Sequence, residues 1–534
     1  MNRAPATALD PGTSAEREEA NARLSRNVFS SIGTKVLYLL SRFMLPPVIL
    51  AYVTLEEYGV WSLTFILIGY LGMGAFGVSN VYIRYVAVYA ARGEQHRIGD
   101  LLSTGLTLVS AFGLICLVVV WFSLPGLLVA LSVPEPMMQT AFWLVFGTVA
   151  VFMLELSIGS FAYVLTGLQR IVLQNRIWTA SFLLETALVI AFLAAGVGIM
   201  GLLYAFALRY LFSISASVWA CFRAVPGLRL SPANFNREYL GLFVRFGGIL
   251  QLSGLLSMFL RSVDRLIAGV FINVGAVGLF DVAQKFPIMW TSIPASMNAA
   301  FLPAATQTHT EGRQADFVNL YLASTRQINL LTGFIMGFMA AFSAPLITGW
   351  LGPDPDFALA PFILACFTLP YQLNVATGPA SSAFRASGAP ARELVYPLSQ
   401  LAMVAIFIGV GFTFFGVEIV VIAVAVATAV ALSALFYLVW STRWLGLSQR
   451  RFFGEAVLPG LYPYAVGLLL AFALNSWMTQ VAGDRLGSIL LVLVSGLLYA
   501  AISSTLVWLF ILKNPERQFI LQRLHPLVRR LRRN

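Results

Sequence analysis

Charged side chains stand inside otherwise apolar stretches of this sequence: Lys35, Arg42, Arg209, Arg245, Arg261, Arg265 and Lys285, and, of opposite sign, Glu155, Glu185, Asp264 and Asp281. An Arg or Lys at the centre of a membrane helix costs about 2.5–3.5 kcal/mol on insertion scales, so each must be paired or face water inside the bundle. Guanidinium groups present forked donors that match phosphate and carboxylate oxygens, and a low local dielectric strengthens those contacts. The expected chemistry is binding of an anion in a cationic, water-filled chamber, with Arg42, Arg265, Arg261, Lys285, Arg209 and Lys35 as the substrate-binding set. The carboxylates Asp264, Glu155, Glu185 and Asp281 have two open readings, as ion-pair partners of nearby arginines or as carriers of a coupling proton or sodium ion. With a rise of ~1.5 Å per residue, Arg42, Arg209 and Lys285 fall near mid-membrane, whereas Arg84 and Arg245 lie near helix ends and can snorkel to the interface.

Other chemistries lack their residues. Cys116, Cys221 and Cys366 are isolated in apolar runs, and His96, His309 and His525 fall in loops or the tail, so neither a disulfide framework nor a metal site is expected. No Gly-Lys pair occurs, which removes the phosphate-cradling loop of ATPases. Gly72-Met73-Gly74-Ala75-Phe76-Gly77 has the letters of a dinucleotide fingerprint, but no strand precedes it, and helix packing or bending is its expected role. No cofactor is expected and the protein is not read as an enzyme.

The elements that carry the charges are membrane helices. The chain is 59% hydrophobic and 11% charged, against roughly 25% charged in a soluble domain, and its mean hydropathy is +0.83. Fourteen stretches have the ~20-residue length of a span: 27–53, 57–86, 101–122, 137–165, 178–195, 200–222, 239–271, 276–305, 327–350, 357–384, 394–415, 418–440, 456–477 and 486–512. The net charge of +11 follows topology. Arg92, Arg97, Arg170, Arg176, Arg223, Arg229, Arg237, Arg313, Arg385, Arg392, Arg443, Arg450 and Arg451 all fall in alternate connections, while the opposite set holds a single basic residue, Arg485. That asymmetry places both termini in the cytoplasm. A nucleic-acid partner is excluded because no polar basic domain exists to bind one.

Sliding the chain along itself sets Arg42 over Arg261 and Tyr58-Gly59-Val60-Trp61 over Val277-Gly278-Leu279-Phe280 without a gap. Six spans separate the copies, so the halves share one orientation, related by an axis along the membrane normal. The expected fold is an all-α polytopic membrane protein of about 14 transmembrane helices, two six-helix lobes in a parallel pseudo-twofold arrangement plus two C-terminal helices. In residues, this gives a cytoplasmic N-terminal tail over 1–26, an N-lobe over 27–222, a cytoplasmic linker over 223–238, a C-lobe over 239–440, two further spans over 456–512 and a basic cytoplasmic tail over 513–534. The two last spans lie outside the duplication and read as a peripheral pair. The tail sets Phe519, Ile520, Leu524, Leu527 and Leu531 among arginines, a pattern suited equally to an interfacial helix or a solvated basic end. The first 26 residues lack the apolar core of a secretory signal.

Glu57-Tyr58-Gly59-Val60-Trp61, Phe76-Gly77-Val78-Ser79-Asn80 with Arg84, Asp264-Arg265-Leu266-Ile267-Ala268-Gly269 and Ala276-Val277-Gly278-Leu279-Phe280 occur in an order and spacing that resembles a known family. It is the polysaccharide or oligosaccharide (Wzx-type) flippases of the multidrug, oligosaccharidyl-lipid and polysaccharide exporter superfamily. The resemblance runs from about Ser25 to Trp440 and departs at Phe246-Gly247-Gly248-Ile249, where members often carry Gly then Pro. It implies a multi-pass protein of the bacterial inner membrane that moves a polyprenyl-diphosphate-linked oligosaccharide from the inner to the outer leaflet, for exopolysaccharide, capsule or O-antigen assembly. Its implied partners are that lipid-linked glycan, inner-membrane lipids, and glycan polymerase and export machinery. Arg42 and Arg265 match places where related flippases carry cavity arginines. The alternatives are a cation-coupled multidrug exporter, which would want a carboxylate-rich cavity, and a membrane glycan polymerase or ligase, which would want a sizeable polar external loop.

Overall fold

Backbone amides and carbonyls find no water in lipid, so an apolar chain that crosses it satisfies them internally as helix. The computed structural model describes residues 14–73, 77–231, 234–481, 483–511 and 517–518, all of them helix or short connection with no strand among them. The C-terminal pattern over 519–534 and residues 1–13 lie outside the described residues, as does the side chain of Arg245. The chain forms two compact units. Unit 1 is drawn from Met1–Val53, Thr64–Leu128 and Glu135–Leu255, and unit 2 from Thr54–Leu63, Val129–Pro134 and Leu256–Asn534.

The first helices are α1 (Ser14–Leu50), α2 (Leu55–Gly72), α3 (Val78–Ala91), α4 (Gln95–Ala130), α5 (Met138–Ser157), α6 (Phe161–Gly167), α7 (Ile171–Ala194), α8 (Met200–Ala224) and α9 (Arg237–Phe271). In unit 1, α7 packs between α1 and α8, and α6 and α5 both pack on α8. The α1–α7 contact is set by polar side chains at a constant offset: Asn175 donates to Ser30 at 3.2 Å, Thr179 to Thr34 at 3.1 Å, and Ser41 pairs with Thr186 at 2.8 Å. Lipid tails supply no hydrophobic drive for helix association, so such interhelical hydrogen bonds pin parallel register. The stretch expected as one span over 57–86 is two helices. Gly77 takes φ +64°, a left-handed conformation that favours glycine, and α3 restarts at Val78.

Unit 2 continues with α10 (Val274–Thr310), α11 (Gln314–Ala341), α12 (Ser343–Leu351), α13 (Ala360–Ala376), α14 (Gly378–Ala386), α15 (Val395–Phe415), α16 (Ile419–Trp444), α17 (Gln449–Phe452), α18 (Tyr462–Ala473), α19 (Asn475–Gln480) and α20 (Arg485–Leu506). Helices α10 and α11 both pack on α13, which also meets α16. The bend between α11 and α12 is 76°. The C-terminal pair packs on this unit along one side and keeps its other side exposed. Helix α18 lies along α11, and α20 along α12. Arg485 donates from Nη2 to the Trp350 carbonyl at 3.0 Å, capping the end of α12, which accounts for the single basic residue on its side of the expected topology.

Among the described residues, ten helices are long and apolar enough to cross a membrane, or eleven when the bent α11–α12 pair is one span. The count of fourteen is not confirmed. Of the expected spans, the second is split between α2 and α3, and the seventh and eighth are α9 and α10, of 35 and 37 residues, which carry many of the intramembrane charges. Phe122, Phe414, Phe472 and Phe510 are each at least 75% exposed, an exterior that suits hydrocarbon and not water. The protein is an all-helical, multi-pass membrane protein.

Candidate functional site

The intramembrane charges gather into two clusters, one in each unit. In unit 1, Glu185 on α7 is 2% exposed and its Oε2 accepts from two arginines on different helices, Arg42 Nη2 on α1 at 2.5 Å and Arg209 Nη1 on α8 at 2.9 Å. The polar ladder between α1 and α7 sets the register that makes the first contact. Arg42 also lies over the Tyr38 ring at 5.2 Å and Arg209 over Tyr210 at 4.7 Å, where the ring faces add cation–π attraction. Two guanidiniums therefore share one carboxylate, and Nε of each is buried without a hydrogen-bond partner. Arg42 keeps a quarter of its side chain exposed, whereas Arg209 is buried. Glu155 on α5 is near Arg209 but forms no salt bridge among the described residues, and its Oε2 is buried without a partner there.

In unit 2, Asp281 on α10 is the hub. Its Oδ1 accepts from Arg265 Nη1 on α9 at 3.0 Å, and its Oδ2 meets Lys285 Nζ one turn on at 2.9 Å and the Tyr58 hydroxyl of α2 at 2.9 Å. Arg265 also donates to the Arg261 carbonyl at 2.8 Å and stands 4.0 Å from Asp264. Asp264 accepts from the Gln284 amide, whose oxygen accepts from the Tyr371 hydroxyl of α13 at 2.8 Å. Asp264, Asp281, Arg265 and Lys285 cancel in formal charge. Low dielectric makes an unpaired buried charge costly, and each of these two cations has an acid beside it, which is the ion-pair arrangement, one of the two readings of these carboxylates.

Lys35 is exposed on α1 and Arg261 is exposed on α9, both outside the two salt-bridge sets. Tyr58, Gln284 and Tyr371 were not singled out for chemistry, because neutral side chains carry no cost signal in an apolar stretch. Tyr58 does lie in the segment that the internal repeat marks. No group of three or more metal-ligating side chains forms among the described residues.

Residues 49–354 match the family model described as polysaccharide biosynthesis protein. The membrane protein EpsK of Bacillus subtilis (strain 168) is 22% identical over 341 residues, 59% of this chain and 64% of that protein, so the match spans less than two thirds of that relative. Among solved structures, the lipid II flippase MurJ in an inward closed conformation superposes with a TM-score of 0.64 at 15% identity, covering 90% of this chain and 98% of MurJ. An inward-facing multidrug resistance MATE family transporter of the MOP superfamily gives 0.63 at 15% identity, covering 77% of this chain and 94% of that one. At such identities these two likenesses establish the fold.

Proposed function

We propose, from the premise that this chain belongs to the polysaccharide biosynthesis protein family, that it is a flippase for a polyprenyl-diphosphate-linked oligosaccharide. It works by alternating access from the inner to the outer leaflet of a bacterial inner membrane, with both termini cytoplasmic. The observation that carries the reading is the sharing of Glu185 by Arg42 and Arg209, two cations on one acid, with Arg42 partly exposed. A charged headgroup needs such donors because it must leave water, whereas the polyprenyl tail is at home in lipid. No bond of the substrate is made or broken in this reading, so no enzyme chemistry is required. Coupling to a proton or sodium gradient, and handing of the glycan to a polymerase and export machinery, complete the proposal.

The rival multidrug exporter has the same fold, but a cationic drug gains nothing from the guanidiniums of Arg42 and Arg209, which occupy Glu185. Deleting the gene tests both. The flippase reading expects a lipid-linked saccharide to accumulate on the inner leaflet and drug resistance to stay unchanged. Lost resistance with no accumulated intermediate overturns it in favour of drug export.

A further inference from the structure

Four acids lie deep within the described apolar helices, and three of them are held. Glu185 carries Arg42 and Arg209; Asp281 carries Arg265, Lys285 and Tyr58; Asp264 carries the Gln284 amide beside Arg265. Protonating any of these removes at least one charge-assisted contact. Glu155 differs. Among the described residues it makes no salt bridge, and its Oε2 is buried with no hydrogen-bond partner. The carboxyl folds back over Gly159, one turn along, where a Cβ would meet both carboxylate oxygens, Oε1 at 2.8 Å. This glycine sits in the 3-10 turn Ile158–Ser160 that interrupts the helix after Ser157, so the local backbone makes room for that carboxyl.

The titratable groups around Glu155 come from each side. Arg209 and Tyr210 face it from α8 and Tyr163 from α6, with Glu185 of α7 and Arg42 of α1 beyond Arg209. When Glu155 is ionised, Arg42, Arg209, Glu185 and Glu155 cancel. When it is protonated, the same four groups carry one net positive charge.

We propose that Glu155 is a proton-binding site whose protonation turns the unit 1 cluster from neutral to cationic, so that a proton and a diphosphate anion are bound together. The inference rests on the flippase reading and deepens it by adding the proton to the site. The step is simple: the carboxylate takes one proton, no salt bridge opens, and the freed positive potential of Arg209 and Arg42 faces the anion. Linkage makes the effect reciprocal, since an anion that favours the protonated form raises that form's share. Loss of the proton restores neutrality and weakens the hold on the headgroup.

The test uses the full chain in lipid nanodiscs with farnesyl diphosphate as the probe, titrated calorimetrically from pH 5.5 to 8.5 in two buffers of different ionisation enthalpy. The wild type is expected to take up more protons per bound ligand than Glu155→Gln, and to lose affinity about 5- to 100-fold as the pH rises, while Glu155→Gln stays at the wild-type low-pH affinity. The ligand's own ionisation is common to both and cancels in the comparison. Glu155→Asp keeps the pH dependence. Independently of any variant, infrared difference spectra of the wild type gain a protonated-carboxyl band when the probe is added. Equal proton counts and equal pH profiles for wild type and Glu155→Gln, or no new carboxyl band, overturn the proton site and leave the diphosphate reading standing. Unchanged binding by Arg42→Gln and Arg209→Gln overturns the diphosphate site itself.

Discussion

Gly59 and Gly278 meet backbone to backbone where α2 packs on α10. A Cβ on Gly278 would stand 2.8 Å from the Leu55 carbonyl oxygen and 3.2 Å from the Gly59 nitrogen, and a Cβ on Gly59 would run into the Val274 carbonyl. These are equivalent positions of the internal repeat, so the duplicated segment packs on its own copy within unit 2. The close approach brings Tyr58 to Asp281 on the same pair of helices.

Alanine at either position therefore pushes two backbones apart. Gly59→Ala and Gly278→Ala should each lower stability by about 1–3 kcal/mol, as overpacking does in a dense core. Gly126→Ala, in α4 with nothing within 4 Å of the added carbon, is the control and should be neutral or slightly stabilising. Thermal unfolding of the purified proteins in detergent is the measurement. Equal melting temperatures for Gly59→Ala and Gly126→Ala would show that the contact yields freely.

The Asp281 hub makes a second prediction, about additivity. Removing Asp281 leaves Lys285 without an acid and Arg265 with only Asp264 at 4.0 Å, while removing Arg265 leaves Asp281 with Lys285 and Tyr58. Asp281→Asn is accordingly the more damaging change, on the order of 3–5 kcal/mol for breaking a buried pair. Tyr58→Phe removes one hydrogen bond to a charged group, about 1.5–3 kcal/mol. The pair Arg265→Gln and Asp281→Asn should cost less than the sum of its members by more than about 0.5 kcal/mol. Strict additivity in a double-mutant cycle refutes the direct contact.

Much of this was legible in the sequence because charge inside an apolar run is costly and therefore conspicuous. Arg42, Arg209, Glu185, Arg265, Asp281 and Lys285 could be picked out one by one on that ground. Their partners could not. Arg42 and Glu185 are 143 residues apart, and only the α1–α7 register joins them. Hydropathy also merged α2 and α3 into one span, since the Gly72–Gly77 segment is as apolar as its flanks, and the φ of Gly77 leaves no mark in composition. The amide of Gln284 gave no signal for the opposite reason: it is polar enough to tie Asp264 of α9 to Tyr371 of α13 and too cheap to bury to stand out.

Sharing of one acid by two arginines separates stability from function in unit 1. Glu185→Gln leaves Arg42 and Arg209 close together without their common anion, and should cost about 3–5 kcal/mol and much of the folded yield. Adding Arg209→Gln removes one of the two repelling cations and should recover part of that stability. Glycan export, scored by complementation of a deletion strain, should stay low in the double variant because one of the two guanidiniums that would hold the diphosphate is gone. Recovery of export together with stability means that the cluster is only a structural tie.

The last two helices yield the sharpest stability test. At Phe453–Val457 the chain forms a π-helix followed by the 3-10 turn Leu458–Gly460, which leaves carbonyls without their usual α-helical donors. Asn329 of α11 donates to the Ala456 carbonyl at 3.1 Å and the Val457 carbonyl at 2.7 Å. Gln372 of α13 donates to Asn329 Oδ1 at 2.8 Å and to the Gly460 carbonyl at 2.8 Å, and both amides are fully buried. Further along α18, Gly467 sets its backbone against Gly337, where a Cβ would lie 2.7 Å from the carbonyl oxygen. Asn329→Leu fills the volume but strands two carbonyls and the Gln372 donor, and each unsatisfied group costs about 1–3 kcal/mol. Asn329→Asp should be worse still, since its carboxylate faces two carbonyl oxygens it cannot donate to. Both variants should melt well below wild type, with protease cutting near Gly454 before other sites as the π-helical segment opens. Wild-type melting in Asn329→Leu would mean that α11 and the C-terminal helices are held by shape alone.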